Sequence, residues 1–192
     1  NRLPASLSMS GAWLQRRNDL NNLTKTLTET HGPLMRRCLV AKDAEFVVAK
    51  WLSIRGFDLN IGGLHLAPTW QEQKKYRDKG DINIVGRGVC EVKGTSKVFT
   101  SHSDWPFKDA FIDTKAKVQE KISNTWAWVT VSQDMRYGAF VLASTFDQWS
   151  LNPSRYTTQY GKSESVYSAP LSIVTFRDLT AIPENLESIC NA

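Results

Sequence analysis

Asp81, Glu91 and Lys93 are the side chains of this chain whose types and spacing could do chemistry together. They lie in the stretch Gly80-Asp-Ile-Asn-Ile-Val-Gly-Arg-Gly-Val-Cys-Glu-Val-Lys-Gly94. Strand side chains alternate faces, so Glu91 and Lys93 point one way while Cys90 and Val92 point the other. Two short β-prone runs, 81–85 and 89–93, flank Gly86-Arg87-Gly88, which predicts a hairpin. A turn centred on Gly86 sets Asp81 opposite Glu91, and one centred on Arg87 sets it opposite Lys93. Directly opposite residues share a face, so either register gathers two carboxylates and an ammonium. An intermediate register would set Asp81 against Val92 and undo the cluster. Two close carboxylates repel unless a proton or a cation compensates. Mg²⁺ suits that task, because it favours a few carboxylates together with waters and phosphate oxygens. There it could activate a water and neutralise a phosphodiester. Lys93 would orient or deprotonate that water, or stabilise the transition state. The plainer alternative is a solvated hairpin edge with salt-bridging side chains.

Other elements must hold this hairpin. Residues 34–55 predict the longest helix, with Leu39, Val47, Val48, Trp51 and Leu52 at helical spacing and Gly56 as its stop. Glu45 stands three and seven residues before Val48 and Leu52, bordering the apolar face, so it should face inward and want a cation or donors. Gly62-Gly63 marks a loop, and 65–67 a short strand. Residues 70–80 are polar and basic, an irregular segment whose Lys74, Lys75 and Arg77 could hold phosphates. Residues 107–123 predict a helix on which Lys117 and Lys121 share a face and Lys115 lies off it. Strands are expected at 126–132 and 137–144, a loop over 145–170 and a last strand at 172–176. Trp13, Leu14, Leu20, Leu23 and Leu27, with Ser10 as a cap, suggest an amphipathic helix within an extension over residues 1–32. The order of elements reads as one α/β domain with a mixed central sheet.

Asp81, nine intervening positions and then Glu91-Val92-Lys93 resemble the signature of the PD-(D/E)XK phosphodiesterase superfamily. Gly80 stands where the family's name has proline. The resemblance covers roughly residues 34–145. It implies a restriction-endonuclease-like core, a mixed central β-sheet flanked by helices, within a domain taken as residues 33–192; the N-terminal helical extension over 1–32 is read from its own residues and not from the resemblance. It implies that Asp81, Glu91 and the main-chain carbonyl of Val92 bind Mg²⁺, with Mn²⁺ able to substitute. Lys93 would be the catalytic lysine and Glu45 the helix glutamate that many members carry, reaching the metal through water. Lys74, Lys75, Arg77, Lys117 and Lys121 would contact nucleic acid. The implied activity is hydrolysis of DNA, as an endonuclease leaving a 5′-phosphate. DNA is the expected partner, and a homodimer is expected by analogy with relatives that cut two strands. A catalytically inactive module that binds nucleic acid or protein is the rival expectation.

Composition agrees without deciding. The 192 residues are 41% hydrophobic and 22% charged, which suits a packed domain. A net charge of +5 suits a polyanionic partner only weakly. Cys38, Cys90 and Cys190 form no Cys-x-x-Cys pair, and His31, His65 and His102 are scattered, which argues against structural zinc. No basic-then-apolar leader and no apolar run of about 20 residues is present, so a reducing, cytoplasmic setting without membrane contact is expected. Of the seven tryptophans, Trp51, Trp126 and Trp128 should be core or near-core, while Trp70 and Trp105 could stack on bases, a core or interface place being the commoner outcome. Ser101-His102-Ser103-Asp104 invites a hydrolase reading, but no nucleophile motif surrounds it.

Overall fold

The computed structural model describes residues 33–62, 80–157 and 163–181. The expected extension over 1–32, the strand at 65–67, Lys74, Lys75, Arg77 and Trp70 lie outside the described residues. Two compact units divide the chain, one of residues 1–40 with 66–76 and the other of 41–65 with 77–192. Apart from residues 33–40, every described residue belongs to the second.

Helix α1 (Pro33–Ile54) ends as Gly56 predicts. The Gly56 N–H donates to the Ser53 carbonyl and the Phe57 N–H to the Leu52 carbonyl, which satisfies two carbonyls the last turn would otherwise leave open. Strand β1 (Leu59–Ile61) follows, then β2 (Ile82–Ile84) and β3 (Gly88–Gly94). The register pairs Ile82 with Cys90, Asn83 with Val89 and Ile84 with Gly88. The hairpin therefore centres on Gly86, and the turn closes with the Arg87 N–H on the Ile84 carbonyl.

Residues 107–123 do not form one helix. Strand β4 (Ala110–Thr114) precedes a shorter α2 (Lys115–Lys121). Strands β5 (Thr125–Val131) and β6 (Tyr137–Leu142) match expectation. The segment expected to be a loop, 145–170, instead contains β7 (Ser150–Thr157) and β8 (Ser163–Ala169), and β9 (Thr175–Asp178) closes the described chain.

A six-stranded sheet runs β1-β2-β3-β5-β6-β9, and a separate sheet runs β4-β8-β7. The larger sheet is mixed: β3 pairs parallel to β5, and its other neighbours are antiparallel. The domain is thus α/β with a mixed central sheet, as the sequence suggests. Its covering differs from two helical layers. One face packs on α1 through Ala44, Val48 and Leu52 against Ile82, Ile84, Cys90 and Val92. The other face buries Trp128, Ala139 and Val141 against Ile112 of β4, Val118 of α2, Trp149 and Ala169. Helix α2 covers too little area alone, and the second sheet supplies the rest. No helix among the described residues is long and apolar enough to cross a membrane.

Trp51 and Trp128 are buried and Trp126 packs against the core, as expected. Trp105 is buried too, against Phe99, Phe107 and Phe176, so its indole face is not open to a base. Ser101–Asp104 forms a capped turn: Asp104 accepts from the Thr100 and Ser101 N–H groups. These donors hold its carboxyl down at about 2.

Candidate functional site

The hairpin register carries Asp81 one step beyond Ile82, to the level of Glu91. Its Oδ2 accepts the Val92 N–H at 2.6 Å. Both N–H and C=O of a residue leave a strand on one side, so the Val92 carbonyl also faces the Asp81 side of β3. Gly80 makes the approach: its φ is +123°, and a Cβ there would lie 2.4 Å from Val89 Cγ1. Proline, fixed near −65°, cannot take this conformation.

Glu91 is buried, 7% exposed, and a buried carboxylate needs a partner. Lys121, from the end of α2, places its Nζ 2.7 Å from Glu91 Oε1. Burial alone would pull the Lys121 ammonium down, but Glu91, Asp81 and Asp113 hold it above the usual lysine range. Asp81 shows the opposite balance. Burial raises its carboxyl most and Glu91 adds to this, against the Val92 N–H, Lys121 and Lys42, leaving it at about 6.

Lys93 shares the Glu91 face and reaches across to the second sheet. Its Nζ lies 2.7 Å from Asp113 Oδ2 and donates to the Ile112 carbonyl at 2.7 Å. Burial lowers the Lys93 pKa, and Asp113 and Glu91 oppose the fall. Lys117 stands at the rim, 63% exposed and 4.0 Å from Asp113.

Glu45 faces inward, 3% exposed, as its place on α1 predicts. Lys42, one turn earlier, pairs with it at 2.5 Å and also reaches the Gly62 carbonyl at 3.4 Å. Lys42 also lowers the Asp81 pKa electrostatically, the smallest of the influences on that carboxyl.

Asp81, Glu91 and Lys93 thus come together with Lys121, while Glu45 is paired with Lys42 on α1, the helix that packs on the other face of the sheet. Two members, Asp113 and Lys42, are not among the residues the sequence singles out. Lys42 has a signal, the three-residue spacing to Glu45 on one helix face; Asp113 has none, because its stretch reads as helix. Cys90 lies on the α1 face, fully buried, and burial pushes its thiol far up.

Among the described residues, no three histidine, cysteine, aspartate or glutamate side chains gather closely enough to hold a metal ion. Mg²⁺ does not require three, since one or two carboxylates with waters and substrate oxygens suffice. Asp81, Glu91 and the Val92 carbonyl offer such a donor set, with Asp81 level with Glu91 and in contact with the Val92 backbone. The residues therefore fit a hard divalent cation. The chain matches no known family model and no curated protein.

Proposed function

We propose that this chain is a metal-dependent nuclease, with a restriction-endonuclease-like core, that hydrolyses phosphodiester bonds in DNA. The observation that carries the reading is the placement of Asp81 level with Glu91, with Lys93 on the Glu91 face and the Val92 backbone between them. Asp81, Glu91 and the Val92 carbonyl would hold Mg²⁺ or Mn²⁺, with Glu45 linked through water. The ion would supply charge neutralisation and an acidified water. Lys93 orients the attacking water or meets the charge that develops on the phosphate. Lys117, exposed at the rim, offers a phosphate contact, and Lys121 is near enough to offer another once it leaves Glu91. DNA as the substrate, and a dimer that cuts two strands, rest on the family resemblance.

One observation favours a second reading. Glu45, Glu91 and Asp113 each already have a lysine partner. Such a network could be self-sufficient in a binding-only module of the same fold. Calorimetric titration with Mn²⁺ separates the two. A nuclease binds Mn²⁺, and Asp81→Ala and Glu91→Ala abolish the heat. No heat from the parent protein favours the binding module.

A further inference from the structure

Three consecutive residues of β4 surround the Lys93 ammonium. Asp113 Oδ2 lies 2.7 Å away, the Ile112 carbonyl accepts at 2.7 Å, and the Phe111 ring centroid is 4.8 Å distant. The sheet is irregular at this point. Phe111 pairs with Ser168 and Asp113 with Tyr167, and the register shifts between them. That shift leaves Ile112 without a register partner on β8, and its carbonyl turns to Lys93. Bulges of this kind re-aim side chains and backbone beside functional sites. Asp113 itself is 7% exposed, so its charge is sited where it must be used or neutralised. A lysine on four flexible bonds does not hold one position unaided.

We infer that Asp113 is a positioning residue that fixes the Lys93 ammonium on the Glu91 face of β3, where the phosphodiester must lie. This rests on the nuclease reading. Asp113 acts through Lys93 and touches no substrate. Its Oδ1 also accepts the Thr114 N–H at 2.7 Å, a purely structural duty that asparagine can retain. Asp113→Asn therefore removes the charge while sparing the start of α2.

The test has two readouts. The first is the ¹⁵N resonance of the Lys93 ammonium, assigned with Lys93→Arg, with the Lys121 resonance as internal reference. Asp113→Asn should abolish the Lys93 signal by freeing it to exchange and leave that of Lys121. The second is cleavage of DNA with Mg²⁺. The same variant should lower kcat on the order of 10–100-fold at unchanged KM, since misplacement of about 1 Å costs that much. Asp113→Glu should restore part of kcat, and Asp113→Asn should add nothing in a Lys93→Ala background. If Asp113→Asn fails to fold, Asp113→Glu alone should show a shifted Lys93 signal and a reduced kcat. A Lys93 signal unchanged in every Asp113 variant, or an unchanged kcat where Lys93→Ala is inactive, overturns the inference alone. A parent protein that cuts nothing overturns the nuclease reading instead.

Discussion

Lys121 ends helix α2 with its ammonium 2.7 Å from the buried carboxylate of Glu91. A side chain expected to meet nucleic acid thus serves, in this state, as the counter-ion of a candidate metal ligand. Removing one partner of such a pair strands the other. Lys121→Met should destabilise the protein by about 1–3 kcal/mol, moderated because Lys121 is 33% exposed. Mn²⁺ should then raise the Tm of the variant more than that of the parent, because the ion takes over the role of the ammonium. Thermal unfolding with and without Mn²⁺ checks both effects, and an equal metal shift in the two proteins contradicts the second.

Asp81 gives the site a pH dependence. Its carboxyl titrates near 3.8 when unfolded and at about 6 in the folded chain. Between those values the folded chain keeps a proton that the unfolded chain has released. This contribution to stability therefore falls as pH rises from about 4 to 6 and is level above. Asp81→Asn removes the effect. The variant should come close to the parent near pH 4 and exceed it by on the order of 3 kcal/mol at pH 7. Urea unfolding across this range measures it, and a parent that gains on the variant as pH rises contradicts it. Below about pH 6 the same proton competes with a divalent ion, so Mn²⁺ affinity should drop there.

Gly80→Ala adds a Cβ where Val89 Cγ1 would be 2.4 Å away, at a backbone φ of +123°. Strain and overpacking together should cost about 2–4 kcal/mol. The double variant Gly80→Ala/Val89→Ala should not recover the parent's stability, because the backbone strain persists. Denaturant midpoints decide this, and full recovery would mean that the clash alone sets the need for glycine.

Lys42 and Glu45 form a buried pair on one helix, 7% and 3% exposed. Either Lys42→Met or Glu45→Gln alone should destabilise by about 3 kcal/mol, and the double variant by less than the sum. A double-mutant cycle on unfolding free energies reads the coupling, and strict additivity would mean that the pair is not coupled.

The hairpin is legible in the sequence because glycines punctuate two apolar runs and strand alternation does the rest. The inward turn of Glu45 follows from its distance to Val48 and Leu52. Strand β4 is not legible: Ala110–Thr114 is short and runs directly into the lysine-rich α2, so the two read as one helix. Its pairing with β8 comes from tertiary packing, and with it comes Asp113. Strands β7 and β8 are hidden by composition, since Ser, Thr, Tyr and Pro mark loops as readily as exposed sheet edges. The sequence therefore carries the acids and Lys93, but not the second sheet that holds Lys93 in place.

The most direct test is cleavage of single-stranded, double-stranded and branched DNA with Mg²⁺, comparing the parent protein with Asp81→Ala and Lys93→Ala. A nuclease built on this site cuts at least one substrate, and each variant loses on the order of 100-fold or more in rate. Variants that cut as well as the parent would contradict the assignment of the Asp81, Glu91 and Lys93 site.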